Sequence, residues 1–161
     1  MSPEHMKEIN LNPGEILGLS VAYWRSLALH AGVKLDLFSV IGEERLAGDE
    51  IAESIGSDER GVTPLLNAHA ALGLLEKEGG CFGNTPAGKA FLVKESPRYV
   101  GYMIRHHANL VDSWSRLDAA ARHGAPVPSR ASQAAGTSHE DLILGLHTNS
   151  LAIAPRVPGD I

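Results

Sequence analysis

Three stretches of this sequence hold the side chains that could do chemistry. Gly79-Gly80-Cys81-Phe82-Gly83 has the glycine density of a phosphate-binding loop, with the thiol of Cys81 in its middle. A phosphate loop must open a helix whose first amides face the anion. Here a strand-like run follows, so the glycines read as a hairpin turn, and no base can be assigned to Cys81 as a nucleophile. His106 and His107 are adjacent. On a helix they project about 100° apart and cannot chelate one metal together, and the remaining histidine pairs lack the three- or four-residue spacing of a helical metal site; no metal is expected. His107 shares an apolar stripe with Met103, Leu110 and Trp114, flanked by His106 and Asn109. Apolar area with hydrogen-bonding tips suits an aromatic small molecule. The same stripe serves equally as core or subunit contact, with His107 a satisfied core histidine. His69, set among Val62, Leu66 and Leu72, reads as packing.

These residues depend on the elements that carry them. Asn12-Pro13 opens a helical pattern through Ile16, Ser20, Tyr23, Trp24, Leu27 and Ala31, with Gly32 as its expected stop. A short helix is predicted across Lys34 to Ile41, a second from Ala47 to Gly56, and a third from an N-cap at Ser57 to Gly73. The period then changes. Leu74 to Glu78 and Cys81 to Asn84 read as two strands joined by Gly79-Gly80, and Thr85-Pro86 caps a brief helix through Leu92. Three helices followed by a hairpin is the winged-helix order. After Ser96-Pro97 a single long amphipathic helix is predicted up to Gly124, carrying the stripe that holds Trp114. Residues 124–137 read as a loop, and Ser138-His139-Glu140-Asp141 as a capping-box-like helix start. The expected organisation is an N-terminal arm and dimerisation helix (1–33), a mainly α, winged-helix-like core with a small β-hairpin wing (34–95), a long helix (96–123), a loop (124–137) and a C-terminal helix (138–161).

Composition narrows the function classes. The chain has 161 residues, 43% hydrophobic and 20% charged, and a net charge of −5, which is ordinary soluble usage. Aromatics are only 5%, with 17 Gly and 9 Pro, so the core must come from aliphatic residues on short helices. No two Lys or Arg are adjacent, whereas nucleic-acid and anionic-membrane surfaces need clustered positive charge. A winged-helix regulator that binds DNA is the alternative function, but its reading helix would begin Asp58-Glu59-Arg60 and its wing tip would be Glu76-Lys77-Glu78, the wrong sign for phosphate. One cysteine permits no internal disulfide. The N-terminus lacks the roughly 7–15-residue apolar core of a signal peptide, and no run approaches the ~20 apolar residues of a membrane span; a cytoplasmic location is expected.

Taken in order, Ala28-Leu29-His30-Ala31-Gly32-Val33, Leu35-Asp36-Leu37-Phe38, Glu50-Ile51-Ala52, Leu65-Leu66, Leu72-Gly73-Leu74-Leu75, Asn84-Thr85-Pro86-Ala87-Gly88 and the long helix ending Gly124-Ala125-Pro126 resemble the N-terminal dimerisation domain of S-adenosylmethionine-dependent small-molecule O-methyltransferases. These are the acetylserotonin, plant phenolic and bacterial polyketide enzymes. The resemblance implies a homodimer, with Ile16, Tyr23, Trp24, Leu27 and Leu29 as interface candidates. It also implies a lid for a hydroxylated aromatic or polyketide-like acceptor, with Met103, His106, His107, Leu110 and Trp114 lining the pocket. The family's S-adenosylmethionine lies in a Rossmann-like domain entered by a glycine-rich turn. No residue here matches that site or the catalytic base, so no cofactor-binding or catalytic residue is assigned. The sequence looks like a truncated, split or excised methyltransferase that would not transfer methyl groups by itself.

Overall fold

A computed structural model describes residues 12–127 and 137–153. Helix α1 (Pro13–Val21) opens on a reciprocal cap. Asn12 Oδ1 accepts from the Glu15 N–H at 3.1 Å and the Glu15 carboxylate accepts from the Asn12 N–H at 2.7 Å, which satisfies two donors that a helix start leaves open. The expected single helix is divided at Ala22, and α2 (Tyr23–Lys34) runs past the expected stop at Gly32. Gly32 lies inside α2 for a packing reason: a Cβ there would meet His69 Nε2 at 2.1 Å. Asp36, left-handed at φ 59°, turns the chain into α3 (Leu37–Ile41).

The next segment departs from the sequence reading. Residues Arg45–Ala47 form a short strand, β1, ahead of α4 (Gly48–Ser54). Helix α5 (Glu59–Ala71) is capped by Asp58, whose Oδ1 accepts from the Arg60 N–H at 2.8 Å, and not by Ser57. The Ser57 hydroxyl is turned back to the Ile55 carbonyl. Strands β2 (Leu75–Glu78) and β3 (Cys81–Asn84) form the predicted hairpin. Gly79 at φ 58° and Gly80 at φ 87° supply the two positive φ angles such a tight turn demands. β1 adds to the free edge of β3, giving an antiparallel sheet in the order β1-β3-β2 with Ala47 opposite Cys81. Thr85 caps α6 (Pro86–Leu92), accepting from the Gly88 N–H.

The long helix is also divided. α7 (Gly101–Trp114) ends where Arg116 reaches back to the Asp112 carbonyl and carboxylate and Ser115 Oγ donates to the same carbonyl. α8 (Leu117–His123) then closes on left-handed Gly124, as its sequence predicts. α9 (Thr137–Ile153) packs along α7. Its close approach is at Gly145, where a Cβ would lie 3.0 Å from Met103, and it is tied by the half-buried Arg105–Asp141 ion pair at 2.9 Å. Most of the predicted 124–137 loop, the Ser138 side chain and the chain end lie outside the described residues.

The core gathers Leu37, Phe38 and Ile41 of α3, Ile51 of α4, Leu66 of α5 and Phe82 of β3, all at 0–1% exposure. Each such side chain contributes about 1.5–3 kcal/mol by burial. Asn84 Nδ2 donates to the Phe38 and Gly42 carbonyls at 2.8 and 2.9 Å and so joins sheet to α3. The result is a mainly α winged-helix unit with α2 and α7 laid side by side across it. α1 differs from every other helix of this unit's N-terminal half: none of its residues is buried.

Candidate functional site

A cleft of about 440 Å3 lies where α2 meets the end of α7, lined by Tyr23, Ser26, Leu27, His30, Val111, Trp114 and Ser115. Helical spacing assembles both walls. Tyr23, Leu27 and His30 recur at four and three residues on α2, and Val111 and Trp114 at three on α7. The outer rim is apolar and open: Trp114 is 67% exposed, Trp24 61% and Tyr23 56%. Tyr23 and Trp24 meet edge to face at 6.1 Å. Ile16, Leu17, Leu19 and Val21 of α1 extend the exposed apolar surface, an arrangement that marks an interaction face.

His30 is the one imidazole on the cleft wall. Its Nδ1 is closed off from solvent and has no hydrogen-bond partner. Burial pushes its pKa below the usual histidine value, with Lys34 and His107 adding to the effect, which favours the neutral ring. His69 belongs to the core. It is fully buried, tilted against Phe38 at 5.1 Å, and its Nδ1–H donates to the Leu65 carbonyl at 2.8 Å. Burial lowers its pKa to about 4.

The structure divides the residues singled out by sequence. Of the five proposed pocket residues, Trp114 lines this cleft, and it is joined there by Tyr23 and Leu27 from the interface set. Met103 faces Gly145 of α9. His106 is half-buried with Nδ1 unpartnered, and its ring centre is 6.1 Å from that of the exposed His107. Leu110 is half-buried outside the cleft lining. Ile16 and Trp24 are exposed beside the cleft, whereas Leu29 turns inward and packs on the core. Sequence reasoning passed over Ser26, His30, Val111 and Ser115. The spacing of His30 from Tyr23 and Leu27 is the signal that could have found it.

Other chemistries find no support in the geometry. Cys81 sits in the central strand between Ala47 and Glu78. Among the described residues, no three His, Cys, Asp or Glu side chains come together around a possible metal position, and no helix is long and apolar enough to cross a membrane. The positive-φ glycines 79 and 80 lead into a strand, so this turn is not the glycine-rich strand-to-helix turn that holds a nucleoside cofactor. On the winged-helix surface, Arg45 is paired with Glu76 and Glu78, and Lys77 donates to Asn67. The start of α5 sets a single arginine, Arg60, beside Asp58 and Glu59, a balance of charge unsuited to a DNA backbone.

Residues 17–94 match the O-methyltransferase dimerisation domain. The 8-O-methyl transferase TcmO of tetracenomycin polyketide synthesis from Streptomyces glaucescens is 40% identical over 121 residues, covering 73% of this chain and 36% of TcmO. The 3-hydroxy-5-methyl-1-naphthoate 3-O-methyltransferase of Streptomyces sahachiroi is 28% identical over 155 residues, covering 92% of this chain and 45% of that enzyme. This chain thus spans less than half the length of the curated relatives it matches. Among solved structures, an O-methyltransferase family protein from Burkholderia thailandensis superposes with a TM-score of 0.76 at 29% identity, over 88% of this chain and 43% of that one. Human N-acetylserotonin methyltransferase, solved with SAM, shares the fold with a TM-score of 0.74 at 19% identity, over 88% of this chain and 47% of its own.

Proposed function

Because residues 17–94 belong to the O-methyltransferase dimerisation-domain family, we propose that this chain is the dimerisation and substrate-lid portion of an S-adenosylmethionine-dependent O-methyltransferase, acting as a homodimer on a hydroxylated aromatic or polyketide-like acceptor. The observation that carries the reading is α1, a capped helix with no buried residue, whose exposed Ile16, Leu17 and Leu19 continue into Tyr23, Trp24 and Leu27 of α2. Apolar surface of this extent is stabilised by removal from water at about 25 cal/mol per Å2. A second copy, related by a two-fold axis, covers the same patch on both subunits at once. The partner would also roof the α2–α7 cleft and exclude water from it. Trp114 is the acceptor's aromatic wall in this reading; His106, His107 and Leu110 are further acceptor candidates on α7 outside the cleft lining, and Met103, which packs on α9, would act from behind them. The names of the relatives, a polyketide 8-O-methyl transferase and a hydroxynaphthoate O-methyltransferase, support that acceptor class. Methyl donor and catalytic base are supplied from outside the described residues, and the single cysteine fits the reducing cytoplasm.

The test is the solution mass of the chain by light scattering at micromolar concentrations. A mass of twice 17.1 kDa is expected, and Trp24→Asp or Leu27→Asp, both at exposed positions, should return it to the monomer without loss of the core's circular dichroism. A folded wild-type chain that stays at the monomer mass would refute the proposal.

A further inference from the structure

Where α2 and α7 lie side by side, their side chains gather basic groups. His30 of α2 stands on the cleft wall with Nδ1 closed off and unbonded, and Lys34 of α2 and His107 of α7 both act on its ring. His106, its ring centre 6.1 Å from that of His107, also keeps a buried, unbonded Nδ1. The other charged groups on these elements are engaged elsewhere. Asp36, at the end of α2, pairs with Lys94 at 2.5 Å, and on α7 Asp112 is held by Arg116 and Arg105 by Asp141, each at 2.9 Å. Helix α3 carries no titratable side chain. Helix α5 brings His69 against Gly32, with Nδ1 bonded to the Leu65 carbonyl.

We propose that the α2–α7 seam is an acid-sensitive latch, closed while His30 is neutral and released when that ring takes up a proton. An imidazolium carries a proton on both nitrogens, so a charged His30 would present an N–H at Nδ1 with no acceptor, beside Lys34 and His107. A charge without a partner in a desolvated position is either neutralised or moved to water, and here reaching water means parting the helices. What anchors α7 defines the moving part. Val100 and Ile104 pack on the core, whereas Trp114 and Leu117, at and beyond the far end, are exposed. The half of α7 from His107 onward is therefore the half that swings, and it takes one wall of the cleft with it. Burial, with Lys34 and His107 nearby, lowers the pKa of His30 in the closed seam, and a ring freed by opening returns toward the ordinary 6.5. The open form takes the proton first as pH falls. Closure is thus fully favoured above pH 6.5, and its equilibrium weakens by up to about tenfold per pH unit below that. The latch belongs to a single chain and stands apart from the homodimer.

Quenching of a bimane label on the whole chain tests it. Ser26 of α2 and Trp114 of α7 line the same cleft. Bimane on Ser26→Cys, with Cys81→Ser and Trp24→Phe leaving one thiol and one tryptophan, should be quenched by Trp114 while the seam is closed, and Trp114→Phe gives the unquenched reference. Between pH 7.5 and 5.5 the ratio of unquenched to quenched label should rise by about three- to tenfold, and it should fall back on return to pH 7.5. His30→Gln, which cannot take the proton, should hold that ratio within about twofold. His107→Gln, at an exposed position, should shrink the change, and His69→Leu should leave it intact. A label unquenched at pH 7.5, a ratio indifferent to pH, a change that survives His30→Gln, or one that His69→Leu removes overturns the latch. Should His30→Gln fail to fold, an undiminished change in His107→Gln overturns it equally. So does a change that grows on tenfold dilution, which is the mark of subunits separating. The homodimer fails separately, on a monomer mass at pH 7.5 whatever the label reports.

Discussion

Replacing Gly32 by Ala should destabilise the protein although it improves the intrinsic preference of α2. In a helix interior Ala is favoured over Gly by about 1 kcal/mol. At position 32, however, the new Cβ would stand 2.1 Å from His69 Nε2 and 2.7 Å from Cε1, so the ring would have to retreat by about 1 Å or more to reach ordinary contact distances of roughly 3.5–4.0 Å. The ring has nowhere to go. It is fully buried, tilted on Phe38 and pinned through Nδ1–H to the Leu65 carbonyl. Overpacking of this kind costs about 1–3 kcal/mol, and loss of the pinning hydrogen bond about 1 kcal/mol more. Set against the propensity gain, the net is a loss of about 1–3 kcal/mol. Gly61 is the control, for a Cβ there meets nothing within 4 Å, and Gly61→Ala should gain up to about 1 kcal/mol. Urea unfolding followed by far-UV circular dichroism, at one protein concentration, reads both. The midpoint of Gly32→Ala should fall by about 1 M for a slope of ~1–3 kcal/mol per M, and that of Gly61→Ala should rise. The pair Gly32→Ala and His69→Ala should cost less together than the sum of the two alone. A Gly32→Ala protein as stable as the wild type would refute the packing account.

Two further outcomes follow from buried polar groups. His69 keeps a folded pKa of about 4 against an ordinary 6.5, so the unfolded chain takes up its proton first as pH falls. The stability His69 contributes is complete above pH 6.5 and declines down to about pH 4, by about 3 kcal/mol in all, and the lowered pKa of His30 acts in the same direction. His69→Leu should therefore flatten the difference in urea midpoint between pH 7 and pH 4.5, and an unchanged difference would count against the assignment. Asn84→Ala removes both donors to Phe38 and Gly42 and should cost about 2 kcal/mol, seen as a thermal midpoint lowered by roughly 4–8 °C.

Local signals were readable and non-local ones were not. Gly79-Gly80, Thr85-Pro86 and Gly124 each impose a conformation through their own backbone chemistry, and the hairpin, the α6 start and the α8 end stand where those residues are. Strand β1 has three residues and exists because β3 offers it an edge more than thirty residues away, which no periodicity records. The breaks at Ala22 and at Ser115-Arg116 fall inside unbroken apolar spacing. The second is made by side chains bonding to Asp112, a competition that hydrophobic pattern does not register. Gly32 reads as a stop because glycine ends helices, and only the position of His69 shows why it is needed within one. The site was half legible for the same reason. α7 is apolar on more than one side, and spacing alone does not say that Met103 meets Gly145 while Trp114 meets the cleft. His30 acquires its meaning from Val111 and Trp114, some eighty residues further on.

The exposed character of α1 ties secondary structure to mass action. Nine residues lie well below the ~12–15 at which an isolated helix holds in water; α2 supplies a nucleus across helical Ala22, but no packing secures the turns beyond it. In a homodimer that closes over this segment, the helicity of residues 13–21 and the association equilibrium are one quantity. Dilution would unwind these turns while the winged-helix core stays intact. Their amide protons would then exchange at the rate of subunit separation, long before the core releases its own.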